Sequence, residues 1–271
     1  MAGMRSWVRR VLTAALLLTP WPVAAEAPVM SGFAPSAAEI PANTLRFYLT
    51  FSQPMARGQV RDAIRLLRVD GSIVESPFLN LGVELWDPAQ RRLTLIIDPG
   101  RIKQGVGPNV QAGAPLENGK RYTLIVARSM TSATGHAIGS DQRVPIQVGP
   151  AEQRAVDPAL WKISAPQAGS RDPLQVRFDR SMDDAASVRL IRVFGPDGAM
   201  VRGKVATKAR DWSLIPEASW APGAYRLVIA PTLEDVAGNT IRSAFDAEAG
   251  TIGKAAEPQE ILFRVQGPDS E

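Results

Sequence analysis

The chain contains an internal repeat, which limits the folds that it can adopt. Residues 62–74 and 184–201 share a short sequence motif. It consists of an apolar residue, Arg-Leu, a second apolar residue and Arg-Val, in that order. Two further matches occur in the same order in both halves of the chain: Phe51–Met55 with Phe178–Met182, and Gly119–Ala127 with Gly223–Ala230. An ordered set of matches indicates two copies of one small domain.

The N-terminal residues indicate export. Three arginines precede an apolar run over residues 11–18, and small residues that end at Ala27 follow it. This order is typical of a secretory signal peptide, and the run is much shorter than the roughly 20 residues that cross a bilayer. We therefore predict a signal peptide over residues 1–27, cleaved after Ala25 or Ala27, and a mature chain with no membrane span in the periplasm or at the cell surface.

Composition narrows the class of protein further. The chain has no cysteine, so each domain must be stabilised by an apolar core rather than by disulfides. Removal of residues 1–27 reduces 31 basic and 27 acidic residues to 28 and 26, and the net charge falls from +4 to +2. The remaining basic residues are dispersed along the chain, which argues against a nucleic-acid partner.

Strand patterns recur in both halves. Alternation over residues 45–51 places Leu45, Phe47, Leu49 and Phe51 on one face of a strand, and residues 174–178 repeat the pattern. We also predict strands over residues 64–69, 92–97, 144–148, 188–193, 211–216 and 261–265.

Turn signals connect these strands. Asp70-Gly71 and Asp197-Gly198 each separate two apolar runs, which predicts a hairpin in each half. Tyr122 and Tyr225 occupy matching strands that follow a glycine turn. Each tyrosine is expected either to pack against its neighbours or to hold the corner of the chain with its hydroxyl. Many short strands between Gly, Pro and Asp turns predict an all-β protein, with two tandem Ig-like β-sandwich domains.

The domain limits follow from the repeat. We assign residues 28–150 to the first domain and residues 151–271 to the second, with the linker near residues 149–157. The offset between copies falls from 127 at Phe51 and Phe178 to 103 at Tyr122 and Tyr225. The first domain therefore carries an insert near residues 77–116.

The second copy resembles a known family. The motifs Phe178-Asp-Arg-Ser-Met182, Pro222-Gly-Ala-Tyr225 and Asp235-Val-Ala-Gly-Asn239 are similar, in that order, to the bacterial Ig-like domain of surface-layer (SbsA-type) proteins. The first copy resembles it more loosely, with Ser132-Ala-Thr-Gly-His136 in place of the last motif. The resemblance implies an exported Ig-like module used as a spacer or a binding element, and it implies no chemistry.

The candidate metal ligands are few. Glu234, Asp235 and Asn239 form the densest oxygen cluster, but a Ca²⁺ ion takes six to eight oxygens, so a plain Asp-x-x-Gly-Asn turn is favoured. His136 is the only histidine and is expected to lie exposed in a turn, which leaves a zinc or copper site unsupported. Asp179, Asp183 and Asp184 are interpreted as loop and helix-capping residues. We predict no cofactor.

The insert holds the candidate partner-binding residues. Trp86 and Asp87 beside a proline turn, with Arg101 and Lys103 beyond, combine an aromatic ring with mixed charge, as binding surfaces do. The alternative is a tryptophan packed on the edge of the sandwich beside a local ion pair.

The sequence therefore predicts an exported, non-enzymatic protein that acts as a structural or binding module of the cell envelope. Its partner would be an envelope protein or polysaccharide that the sequence does not identify. Two alternatives remain: a periplasmic protein that binds Ca or Cu, and an accessory domain protein of an envelope enzyme. No spacing of carboxylates indicates an acid/base pair.

Overall fold

The structure is a computed structural model that describes residues 26–103, 107–241, 243–245 and 257–267. The predicted signal peptide lies almost wholly outside the described residues. Strands dominate both halves of the chain, and helices are short. The predicted fold class, two tandem Ig-like β-sandwiches, is confirmed.

The first sandwich contains eight strands in its described residues: β1 (Met30–Ala34), β2 (Ile40–Pro41), β3 (Arg46–Phe51), β4 (Ile64–Arg68), β5 (Leu85–Trp86), β6 (Arg92–Ile96), β7 (Arg121–Val126) and β8 (Gln142–Gly149). One sheet has the order β1-β3-β6-β5 and the other the order β2-β8-β7-β4. Three short helices accompany them: α1 (Val60–Ala63), α2 (Pro99–Ile102) and α3 (Gly107–Ala112).

The second sandwich contains seven strands in its described residues: β9 (Lys162–Ser164), β10 (Leu174–Arg177), β11 (Ile191–Phe194), β12 (Gly203–Lys208), β13 (Asp211–Pro216), β14 (Gly223–Ile229) and β15 (Gln259–Val265). Its sheets have the orders β12-β13-β10-β9 and β11-β14-β15. A 3-10 turn (Pro158–Leu160) precedes β9, and helix α4 (Asp184–Leu190) precedes β11.

Each sandwich encloses its own apolar core. In β3, Phe47, Leu49 and Phe51 are buried while the residues between them are half-buried, as the alternation in the sequence predicts. In the second core Trp212 and Leu174 are almost fully buried. Burial of these side chains supplies the main driving force for folding, since the chain has no disulfide.

Both predicted hairpins are present. Leu67 pairs with Ile73 across Asp70-Gly71, and Phe194 pairs with Met200 across Asp197-Gly198. Gly71 and Gly198 have φ values of 83° and 77°, a left-handed conformation that glycine adopts without steric cost.

The prediction of a strand over residues 188–193 is wrong in its first half. Helix α4 extends to Leu190, and the strand begins at Ile191. The carboxylate of Asp183 accepts a hydrogen bond from Ala186 N at 2.8 Å, so it caps the helix, and the cap outweighs the low helix propensity of Val188. The predicted capping role of Asp183 is confirmed.

Residues 77–116 extend the first sandwich. Strand β5 pairs with the outer edge of β6, and Phe78 bridges to Ile97 farther along the same edge. In the second sandwich a complete strand, β12, occupies the matching side of β13. The same side of the sheet is therefore covered by the insert in the first copy and by β12 in the second.

Candidate functional site at the interdomain joint

The outward face of β3 contacts the second domain. Arg46 and Tyr48 alternate with the core residues of this strand, so both side chains point away from the first core. The Tyr48 hydroxyl donates to Asp183 Oδ2 at 2.6 Å, and the Arg46 guanidinium forms an ion pair with Glu234 and lies 3.6 Å from the same Asp183 oxygen. We call these four residues the joint cluster.

Burial sets the charge states in the joint cluster. Burial of the phenol, together with the nearby charge of Asp183, raises the pKa of Tyr48 far above its usual value. The hydroxyl therefore stays protonated and donates to the carboxylate at all ordinary pH values. Burial alone would lower the pKa of Arg46, but the hydrogen bond and charge of Glu234 outweigh it and the pKa is raised.

Asp183 joins two structural roles. Its Oδ1 caps α4 within the second domain, while its Oδ2 accepts the hydrogen bond from the Tyr48 hydroxyl of the first domain. Its side chain is only 3% exposed. Loss of the Tyr48 donor would leave this buried carboxylate with fewer hydrogen bonds, so the contact between the domains is costly to break.

A backbone contact lies beside the joint cluster. Leu45 N donates to Val236 O at 2.8 Å, which connects the start of β3 to the turn over residues 233–241. Gly238 in this turn has a φ of 84°, and an added Cβ would lie 2.8 Å from Leu45 Cδ2 and 3.1 Å from the Phe245 ring. Glycine is therefore required here both for its backbone conformation and for the close approach of the two domains.

The linker is fixed from both sides. Asn43 of the first domain donates to Glu152 O at 2.7 Å and accepts from Glu152 N at 2.9 Å. Asn239 of the second domain donates to the same carbonyl at 2.9 Å. Because one linker residue is bound to both domains, the linker has little freedom to bend there.

Asp235 lies at the centre of the turn and is 1% exposed. Its carboxylate accepts from Ala237 N, Asn239 N and Asn239 Nδ2 at 2.8–2.9 Å, and Arg180 lies 3.5 Å away. Burial raises the pKa of Asp235 to about 6, although the hydrogen bonds from Asn239 and Ala237 and the charge of Arg180 act in the opposite direction. The guanidinium of Arg180 also pairs with Asp179 and Glu152.

A cleft of about 190 Å³ lies between the domains beside this turn. Arg180, Asp235 and Glu152 line it, and all three side chains already have partners of opposite charge or hydrogen-bond donors. These three side chains therefore have little bonding capacity left for a ligand.

The three candidate metal ligands are occupied by protein donors. Glu234 pairs with Arg46, the Asp235 carboxylate accepts the donors described above, and Asn239 Oδ1 accepts from Phe245 N at 2.9 Å. Within the described ranges, no group of three or more His, Cys, Asp and Glu side chains is arranged to hold a metal ion. The turn thus serves as the joint between the domains, a role that the sequence analysis did not predict.

The first copy has the same turn without these acidic and amide side chains. Ser132 N donates to His136 O at 2.8 Å, and Gly135 has a φ of 85°, which matches Gly238. His136 is exposed, as predicted, and its Nδ1 lies 3.0 Å from Thr134 Oγ1. The substitutions Asp235 to Ser132 and Asn239 to His136 between copies were the signal in the sequence that the second turn has an additional role.

The four candidate partner-binding residues make contacts within the protein. Trp86 packs on Phe51 with ring centres 5.8 Å apart, and its Nε1 donates to Glu84 at 2.8 Å. Asp87 accepts from Arg91 N and Arg92 N, so it closes the turn before β6.

Arg101 and Lys103 also make contacts within the protein. Arg101 is 5% exposed and donates to backbone carbonyls at residues 75, 76, 112 and 113. Its guanidinium therefore fixes the insert from within, and contact with a partner stays a prediction. The ammonium of Lys103 lies 5.1 Å from the centre of the Phe245 ring, which makes it another contact between the two domains.

Comparisons with known proteins support no functional assignment. No family model matches the chain, and no curated protein matches it in sequence. Among similar solved structures, native alpha-2-macroglobulin from Escherichia coli is 12% identical over 89% of this chain and 72% of that chain, with a TM-score of 0.31. Surface layer protein SbsC, domains 1-6, is 10% identical over 90% of this chain and 41% of that chain, with a TM-score of 0.32. Titin Ig tandem domains are 12% identical over 90% of this chain and 98% of that chain, with a TM-score of 0.25. The particular surface-layer family stays a prediction.

None of the helices in the described residues has the length and apolar character needed to cross a bilayer.

Proposed function

We propose that this chain is an exported, non-enzymatic structural module of the cell envelope, in which two Ig-like domains form one rigid unit. The interdomain joint carries this proposal. A connection that only links two domains needs no buried charge, whereas this one places Asp183 between a tyrosine and an arginine of the other domain. Flexible arrangement is the default for domains in one chain unless their interface restrains it.

Three contacts of different kinds restrain the same interface. The joint cluster supplies charge, Leu45 and Val236 supply a backbone hydrogen bond, and Asn43 and Asn239 both hold Glu152. A hinge motion would break all three at once. The unit therefore suits a role in which it holds attached elements of the envelope at a fixed separation.

Rigidity can be measured by pulsed electron paramagnetic resonance. The chain has no cysteine, so Ser72→Cys in the first domain and Lys204→Cys in the second place spin labels at two exposed positions. We expect one narrow distance distribution. The variant Arg46→Ala/Tyr48→Phe should broaden it, since both side-chain contacts of Asp183 with the first domain are lost.

The control variant is Arg177→Ala. Arg177 forms an exposed ion pair with Asp211 at 2.8 Å inside the second domain, so its loss should leave the distribution unchanged. A broad distribution in the unmodified chain would refute the proposal of a rigid unit.

Export is tested separately. Cell fractionation followed by N-terminal sequencing should give an envelope protein that begins at Glu26 or Pro28. Recovery from the cytosol with residues 1–25 still attached would show that the chain is not exported, whatever the rigidity of the joint.

A further inference from the structure

In the described residues, strand β15 has a neighbouring strand on one side only. It pairs with β14 from Gly223 and Val265 to Ile229 and Gln259, and no strand lies on its other side in sheet β11-β14-β15. In the described part of the chain, no backbone group of residues 259–265 hydrogen-bonds to anything beyond β14. A strand edge of this kind is a template for a strand of another chain.

The first domain blocks the matching edge. Ile146 faces Tyr122 in the first copy and Phe263 faces Tyr225 in the second, so Pro145 is the counterpart of Leu262. A proline has no N–H to offer to an added strand, and β2 also pairs with the end of β8 through Ile40 and Val148. In the described residues of the second copy, β15 contains no proline and no strand pairs with it on this side, although just beyond its end Gln266 O accepts from Ala168 N at 3.0 Å.

The proline also shows which way the Leu262 backbone points. Proline is tolerated in a strand where its nitrogen faces away from the neighbouring strand. By the equivalence of the two copies, the N–H of Leu262 faces the open edge. Its side chain is 72% exposed, an unusual position for a large apolar residue in the middle of a strand.

The exposed face of β15 is complementary to itself. Glu260, Leu262 and Arg264 alternate along it, and Glu260 Oε1 also accepts from Arg226 of β14 at 2.9 Å, which leaves its Oε2 for a second copy. If a second β15 is added antiparallel with its Leu262 opposite Leu262, each Glu260 lies opposite an Arg264 of the second copy. Opposite charges and apolar pairs in directly opposed positions stabilise a sheet, and like charges destabilise it.

The other long edge strand of this domain lacks this property. The exposed residues of β12 are Lys204, Ala206 and Lys208. Antiparallel pairing of β12 with its own copy about Ala206 would place Lys204 opposite Lys208, and this repulsion protects the edge. Of these two edge strands, β15 is therefore the one whose pattern of charges favours a second copy of the chain.

We propose that the protein forms a twofold symmetric dimer in which two β15 strands pair antiparallel about Leu262. Each three-stranded sheet then becomes half of a continuous six-stranded sheet. Two Glu260–Arg264 ion pairs flank the central Leu262 pair, and the backbone groups of the two Leu262 residues bond to each other. The interface is of the isologous kind, in which both copies use the same patch.

The backbone is tested first, by sedimentation equilibrium of the full chain over a range of concentrations. The unmodified chain should show a monomer–dimer equilibrium. Leu262→Pro should be monomeric at every concentration, since it removes the central N–H donor. The native Pro145 shows that this fold accepts proline at the position. Circular dichroism and thermal melting verify that the variant is folded.

The charges are tested by complementation, which does not depend on the proline variant. Glu260→Arg places arginine opposite Arg264, and Arg264→Glu places glutamate opposite Glu260, so each variant alone should dimerise about tenfold or more weakly. An equimolar mixture restores opposite charges at both positions. We expect the mixture to form a heterodimer with an affinity near that of the unmodified chain.

Two results would overturn the proposal. One is an unmodified chain that stays monomeric up to the highest concentration at which it is soluble. The other is a dimer that persists unchanged in the two charge variants and gains nothing from mixing them, because such a dimer uses another surface.

Discussion

The carboxylate of Asp235 experiences opposing effects of burial and hydrogen bonding. Burial raises its pKa from 3.8 to about 6 even though N–H donors stabilise the charged form. As the pH falls from about 6 to about 4, the folded chain takes up this proton before the unfolded chain does. The group therefore adds to the free energy of unfolding at low pH, and this contribution is lost as the pH rises through about 6.

We predict that the stability of the unmodified chain relative to Asp235→Asn increases by about 1.4 kcal/mol between pH 7.5 and pH 5. Urea denaturation of both chains at the two pH values gives this difference, and the titration of other carboxylates cancels in it. If the difference in the free energy of unfolding between the two chains stayed constant with pH, the hydrogen-bond donors, and not burial, would set the pKa of Asp235.

At the scale of the structural element, the two matched tyrosines tie their strands to the preceding loop with different numbers of bonds. The Tyr225 hydroxyl accepts from Ala221 N at 3.1 Å and donates to Ala221 O at 2.9 Å, whereas the Tyr122 hydroxyl accepts only from Glu117 N at 3.1 Å. Tyr225→Phe should therefore reduce the free energy of unfolding by about 1–2 kcal/mol, and Tyr122→Phe by about half as much. Equal losses in chemical denaturation would mean that the donated hydrogen bond contributes nothing.

The elements show how far the sequence allowed prediction. The alternation of Phe47, Leu49 and Phe51 and the Asp-Gly turns predicted strands and hairpins, because both signals depend on near neighbours in the chain. The helix before Ile191 was not predicted because Val188 is a residue type that is typical of strands. The helical conformation of Val188 depends on the cap that Asp183 provides. The exposed edge of β15 became visible only when the register aligned Leu262 with Pro145.

The joint could not be predicted for a related reason. Asp183 and Tyr48 lie 135 positions apart in the chain, and each has an ordinary local role as a helix cap or a strand residue. Their contact depends on how two finished domains meet, which no short pattern describes. What the sequence did contain was the difference between the copies at Asp235 and Ser132, and that difference marks the turn that joins the domains.

At the scale of the whole molecule, the joint should couple the unfolding of the two domains. The charged Asp183 would lose its donor if either domain unfolded alone, and hydrogen bonds to buried charged groups contribute about 1.5–3 kcal/mol. We expect a single calorimetric transition for the unmodified chain. Tyr48→Phe should separate it into two, because the domains then unfold with less effect on each other.

Gly238→Ala tests the same coupling through close packing, and Gly135→Ala is its matched control. Both glycines have a φ near 85°, so both substitutions carry the strain of about 1–2 kcal/mol that an L-residue meets there. Only Gly238 lies against the other domain, since a Cβ at Gly135 meets nothing within 4 Å. Gly238→Ala should therefore divide the transition, while Gly135→Ala should lower its temperature and leave it single. If both variants keep one transition, the two domains are coupled by contacts other than the close approach of Gly238 to Leu45.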